Sequence, residues 1–128
     1  MFEELHRPEA ADRVHDVAER TLDAIVATEG RLLVLIDRPS DTRAATAGRA
    51  EAAIPLDGRG WNAMVGTVRR VAERAAERGV RAVFHPHAGS YVEFEDEIER
   101  LATDVRARSS GCASTPAMRS TRATIPRA

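Results

Sequence analysis

The chain has 128 residues, 43% hydrophobic and 30% charged, which is the size and composition of one small globular domain. Its formal net charge of −1 argues against a surface built to bind nucleic acid. We expect no membrane partner, because no apolar run approaches the roughly 20 residues of a membrane span. We also expect a cytoplasmic protein, because the start Met1-Phe2-Glu3-Glu4 is acidic where a secretory signal is basic. The only cysteine, Cys112, excludes an intrachain disulfide, which agrees with this expectation.

The predicted elements alternate between helices and strands along the chain. Apolar residues recur at helical spacing over roughly 10–28. The continuous apolar run 32–36 is typical of a parallel strand buried on both faces. A second helix is predicted over roughly 59–78, a second strand over 81–87 and a third helix over about 94–105. This order predicts an α/β fold with parallel strands, and two strands are too few for a stable sheet, so we expect part of a larger fold.

Two loops follow the predicted strands, and functional residues of parallel α/β folds gather at the C-terminal ends of strands. The first loop runs from Asp37 to Gly60, which is long for a compact domain. Residues 37–49 of this loop include five charged residues, Asp37, Arg38, Asp41, Arg43 and Arg49. We interpret them as ordinary solvated charges, with Asp37 at the strand end as the candidate exception.

The second loop contains His85, His87 and Glu93. Histidines two apart on a strand point to one face, and two imidazoles there can bind a metal or a polar substrate. Glu93 can add a carboxylate oxygen as a ligand. The alternative is a pair of hydrogen-bonded strand histidines followed by a Glu that caps the next helix, and the spacing favours neither interpretation. We interpret His6 and His15 as surface residues.

Two segments carry a family resemblance, RLLVLIDRPSDTRAATAGR and LDGRGWNAMVGTVRRVAERAAERGVRAVFHPHAGSYVEFEDEIERL. The chain resembles the sugar phosphate isomerase/epimerase superfamily of xylose isomerase-like TIM barrels over about residues 5–101. It is similar in particular to the inosose-dehydratase-like subgroup, which has a His-x-His-x-Gly-x-x-Val-Glu segment after its middle strand. The block FHPHAGSYVEFEDEIERL is the most specific part of this resemblance.

The resemblance implies a barrel with a divalent metal cation at its C-terminal mouth, where a proton moves next to the carbonyl of a sugar or polyol substrate. Glu93 is then a candidate metal ligand, and His85 and His87 are candidate substrate or metal contacts. Such a barrel needs ~250 residues, so residues 1–108 are expected to be a partial barrel that binds the metal poorly and is inactive alone. The alternatives are a keto-inositol dehydratase-type lyase, a non-catalytic remnant that self-associates through open sheet edges, and a small α/β binding module.

The last twenty residues, 109–128, differ in composition from the rest. They contain three Arg and no acid, whereas residues 1–108 contain all 20 acids and 16 Arg. Because they also lack apolar periodicity, we expect them to be disordered. Read from the third base of the Arg108 codon, a GC-rich coding sequence can encode Leu-Val-Gly-Leu-Cys-Leu-Asp-Thr-Gly-His, which ends in the Asp-Thr-Gly-His of the family's next strand. We therefore expect an out-of-frame tail after a frameshift between Leu101 and Arg108.

Overall fold

A computed structural model describes residues 1–109 of the chain, and within them the fold is mixed α/β. The sheet contains three parallel strands in the order β1-β2-β3, namely β1 (Phe2–Glu3), β2 (Leu32–Asp37) and β3 (Arg81–Phe84). The α-helices of this part are α1 (Ala11–Ala27), α2 (Asp41–Ala44), α3 (Gly58–Glu77) and α4 (Glu95–Ser109). Short 3-10 turns lie at Pro8–Ala10 and Ala50–Ala52. The tail predicted to be disordered lies outside the described residues, apart from Ser109.

The helices cover one face of the sheet. Leu33 and Leu35 of β2 point to this face and belong to one core with the apolar stripes of α1, α3 and α4. Their register partners on β3, Ala82 and Phe84, belong to the same core. On the opposite face of β2, Leu32 is 47% exposed. The prediction that β2 is buried on both faces is therefore wrong for the described part of the chain, because α1, α3 and α4 pack on the face that carries Leu33 and Leu35.

Local capping explains where two of the helices begin. The side chain of Asp57 accepts a hydrogen bond from the backbone N–H of Gly60 at 2.7 Å, so it caps the N-terminus of α3. Pro8 begins the 3-10 turn that leads into α1, where a missing backbone N–H costs nothing. Both helices occur within one or two residues of their predicted bounds.

The structure differs from the predicted elements at β1, α2, β3 and α4, and α2 is a single helical turn within the segment predicted as a loop. β1 was not predicted, because a strand of two residues gives no periodic signal. β3 ends at Phe84 and not at residue 87, since Pro86 has no N–H to continue the ladder. α4 continues past Val105 to Ser109. None of the helices in the described residues is long and apolar enough to cross a membrane.

His15 lies in the interface between α1 and α3, which makes the surface prediction for it wrong. Both of its ring nitrogens are buried and have no hydrogen-bond partner among the described residues. They adjoin a cavity of about 150 Å³ that Arg70 also lines. Burial lowers the pKa of His15 below its ordinary value and the charge of Arg70 lowers it further, although Asp12, Asp16 and Glu19 oppose this.

This lowered pKa predicts a pH dependence of stability. An unfolded His titrates near pH 6.5, so on acidification the unfolded chain takes up this proton before the folded chain does. The free energy of unfolding should therefore fall as the pH is lowered through about 6.5, the pKa of an unfolded His, and His15→Leu should remove that part of the fall. Urea unfolding at several pH values measures this pH dependence of the free energy of unfolding. His85→Leu is the matched control, because His85 is exposed. An unchanged pH slope in His15→Leu contradicts the prediction.

Candidate functional site

Polar side chains collect at the C-terminal edge of the sheet. His6 follows β1, Asp37 is the last residue of β2, and the loop from His85 to Glu93 follows β3. Because the strands are parallel, these three segments lie at the same edge. This edge is where the sequence predicted a functional site, and the side chains that meet there include several that it did not predict.

Asp37 and His6 form a hydrogen-bonded pair at this edge. The Asp37 side chain is 0% exposed and accepts a hydrogen bond from the Leu5 backbone N–H at 2.9 Å. Its two carboxylate oxygens lie 2.9 and 3.1 Å from Nδ1 of His6. Because a buried carboxylate needs donors, this geometry supplies Asp37 with two and orients the imidazole. The surface prediction for His6 is wrong, since its side chain is only 11% exposed.

Tyr91 connects this pair to a buried arginine. Its ring meets the His6 ring edge-on with the centroids 4.9 Å apart, and the Arg43 guanidinium carbon lies 5.5 Å from the Tyr91 centroid. The same guanidinium lies 5.4 Å from the centre of the Phe94 ring. Arg43 thus has the aromatic contacts that favour a desolvated guanidinium, and His6, Tyr91 and Arg43 form a continuous row along the edge.

Arg43 forms a buried ion pair with Glu97. Its NH1 and NH2 groups donate to the two oxygens of Glu97 at 2.7 and 3.0 Å, and its side chain is 0% exposed. NH1 also donates to the carbonyl oxygen of Ile54. The interpretation of Arg43 as a solvated loop charge is therefore wrong. The reason is that α2 begins at Asp41 and turns Arg43 inward, with the Ser40 side chain as its N-cap.

Glu97 joins the arginine to the start of α4. One of its oxygens accepts from the backbone N–H groups of Glu93 and Phe94 at 2.9 and 3.1 Å. Partial burial alone would raise the pKa of Glu97, but the hydrogen bonds from Arg43 and the two amides outweigh it and hold this pKa below its ordinary value. Glu97 is therefore a carboxylate at neutral pH and stabilises the N-terminus of α4.

Glu93, the predicted metal ligand, is engaged by the backbone. Oε1 accepts from the Gly48 N–H at 2.6 Å and Oε2 accepts from the Gly89 N–H at 3.1 Å. Nη2 of Arg43 lies 3.9 Å from Oε2 of Glu93. Gly89 has φ +79°, and a Cβ there would meet Cα of Ala44 at 3.1 Å, so this turn requires glycine. Glu93 thus connects the loop after β2 to the loop after β3. It does not cap α4, because the side chain that accepts from the backbone at the start of α4 is that of Glu97.

His85 and His87 are both exposed beyond the end of β3. The backbone N–H of His85 still donates to the carbonyl of Leu35 at 2.8 Å, whereas His87 has left the sheet. Nδ1 of His87 lies 2.8 Å from the carbonyl oxygen of Ala88, and its ring meets the ring of Phe2 edge-on at 5.9 Å. The prediction that the two histidines point to one face of a strand is therefore wrong, because β3 ends at Phe84 and neither residue belongs to it.

The implied divalent metal does not fit the described residues. They contain no group of three or more His, Cys, Asp or Glu side chains that could hold a metal ion. Both oxygens of Glu93 accept backbone hydrogen bonds, and the Asp37 oxygens accept from Leu5 and His6. The carboxylates at this edge are thus already engaged by donors from the protein, and we derive no chemical step through a metal.

Comparisons with known proteins identify no relative of this chain. No protein-family model matches it, and neither a curated protein nor a solved structure matches it. The family resemblance over residues 5–101 therefore stays a prediction, and function must be argued from the geometry of the site.

Sequence reasoning missed four residues of this edge, namely His6, Arg43, Tyr91 and Glu97. One of them left a usable signal, because Glu97 stands three residues after Phe94 at the start of a predicted helix, which is the spacing of a capping carboxylate. His6 precedes its helix with no periodic pattern around it. Arg43 lies within a loop in which every charged residue looks alike.

Proposed function

We propose that residues 1–108 are part of a xylose isomerase-like TIM barrel, and that its reaction is the isomerisation or epimerisation of a sugar or sugar phosphate. One observation carries the proposal, namely that His6, Asp37 and Tyr91 meet at the C-terminal edge of a parallel sheet with its helices on one face. In TIM barrels the helices lie outside the sheet, and the active site lies at this edge.

The uncovered face of the sheet supports the barrel assignment. Leu32 is exposed, and Val34 and Ile36 are half-buried on the same side of β2. The side chain of Phe2, which pairs with Ile36, is 41% exposed. Bulky apolar side chains fill the interior of a TIM barrel, so these residues are of the type that further strands would bury.

The chemistry of the edge supports binding of a sugar or polyol. Such a ligand offers hydroxyl groups that donate and accept hydrogen bonds together with C–H faces that pack on aromatic rings. The edge offers the imidazoles of His6, His85 and His87 as polar contacts and the ring of Tyr91 as an apolar one. Because Glu93 is committed to two backbone amides, we further propose that this chain by itself binds the sugar and does not turn it over.

The binding arm of this proposal is tested by NMR. The full chain is titrated separately with xylulose, dihydroxyacetone phosphate and a keto-inositol, and the side-chain resonances of the histidines are followed. We expect shifts at His6, His85 and His87 and none at His15, which lies between α1 and α3 away from the edge. No isomerised, epimerised or dehydrated product should accumulate.

A variant separates a specific site from weak surface contact. His85→Ala combined with His87→Ala should weaken sugar binding at least about fivefold, since each of the two lost hydrogen bonds contributes about 0.5–1.5 kcal/mol. Both side chains are exposed, so the fold should be unaffected. The proposal is wrong if none of the three compounds shifts these resonances, or if His15 responds in their place.

A further inference from the structure

The hydrogen bond between His6 and Asp37 determines which nitrogen of His6 is free. An ionised carboxylate can only accept hydrogen bonds, so Nδ1 of His6, at 2.9 Å from Asp37, must carry a proton. In the neutral imidazole Nε2 then has a lone pair. Nε2 of His6 has no hydrogen-bond partner among the described residues. It is also not one of the fully buried unpaired atoms of these residues, so it is accessible to a ligand.

The orientation of this imidazole is held from two sides. Asp37 is fully buried and is itself fixed by the backbone N–H of Leu5 at 2.9 Å. On another side the Tyr91 ring meets the His6 ring edge-on, and Tyr91 is in turn packed on the Arg43 guanidinium. A side chain held in this way loses little conformational entropy when it binds a ligand, which is the advantage of preorganisation.

We propose that Nε2 of His6 accepts a hydrogen bond from a hydroxyl group of the sugar or polyol ligand, and that Asp37 positions it by holding the Nδ1–H tautomer. The proposal rests on the proposed function for the class of ligand. It assigns His6, which the family resemblance does not single out, as a ligand-binding residue, and Asp37 as a positioning residue.

Two substitutions divide the roles of the two ring nitrogens. In His6→Asn the amide NH2 can occupy the position of Nδ1 and donate to Asp37, while nothing replaces Nε2. In His6→Gln the longer amide reaches the position of Nε2 and no longer donates at the position of Nδ1. A purely structural histidine needs only Nδ1, so His6→Asn separates a structural role from a binding role.

The experiment first records the tautomer and then the affinity. In the full-length chain at about pH 8, where an ordinary imidazole is neutral, we expect NMR to show Nδ1 of His6 protonated and Nε2 unprotonated, with a shift of Nε2 on addition of xylulose or the keto-inositol. His6→Asn should keep the melting temperature of the parent and bind about tenfold more weakly, and His6→Gln should recover part of that loss.

The possible outcomes distinguish this inference from the proposed function. If the sugar shifts His85 and His87 but His6→Asn binds as tightly as the parent, the inference is overturned and the proposed function stands. A proton on Nε2 in the free protein also overturns it. If none of the compounds shifts any histidine at this edge, the proposed function is wrong and the inference is overturned with it.

Discussion

Replacement of Arg43 by Met should lower the free energy of unfolding by about 3 kcal/mol, since removal of one partner from a buried ion pair costs about 3–5 kcal/mol. We take the lower end of this range because the Glu97 side chain is 16% exposed and water can solvate part of its charge. The substitution also removes the contacts of the guanidinium with the rings of Tyr91 and Phe94. Urea unfolding measures the difference.

Two further variants show whether the buried ion pair is the cause. Arg49→Met, in the same loop but exposed, should change the free energy of unfolding by less than about 0.5 kcal/mol. Glu97→Gln added to Arg43→Met should recover about 1 kcal/mol, because the uncompensated carboxylate is then gone while its backbone contacts can remain. Equal stability of Arg43→Met and the parent would show that the pair between Arg43 and Glu97 contributes nothing to the fold.

Leu35→Ala should also lower the free energy of unfolding by about 3 kcal/mol, within the range of about 2–5 kcal/mol for buried Leu-to-Ala substitutions. Leu35 is 0% exposed on the central strand and pairs in register with Phe84, so the small side chain leaves a cavity beneath α3 and its neighbours. Urea unfolding of the variant gives the difference directly.

Leu32→Ala is the matched control on the other face of the same strand. Leu32 is 47% exposed, so its loss should cost less than about 1 kcal/mol of burial free energy. Comparable losses for Leu35→Ala and Leu32→Ala would mean that both faces of β2 are buried in the protein as it exists in solution. A large difference confirms that its helices cover one face.

The elements with a periodic pattern could be predicted from the sequence. α1 and α3 have apolar stripes over several turns, and β2 is a continuous apolar run, so local spacing alone locates them to within one or two residues. β1 could not be predicted, because two residues show no period and the strand exists only by pairing with Ile36 and Asp37. The extent of α4 was underestimated for a related reason, since its last turn is polar.

For the candidate site, the position in the fold could be predicted from the sequence, but the contacts between its side chains could not. The parallel fold locates it at the C-terminal edge of the strands, and the sequence correctly placed Asp37 and the loop from His85 to Glu93 there. Spacing did not reveal what these side chains contact. Glu93 binds the backbone of Gly48, which is 45 residues away in the chain, and Asp37 binds His6, which is 31 residues away.

By itself the sequence determined that the chain is α/β, that its strands are parallel and which edge collects polar side chains, because periodicity and element order are local properties. Only the tertiary structure decided that the helices cover one face, that Arg43 is buried and that His6 pairs with Asp37. These three facts depend on contacts between residues far apart in the chain. A charged side chain in a loop carries no local mark of whether a distant partner will remove it from water.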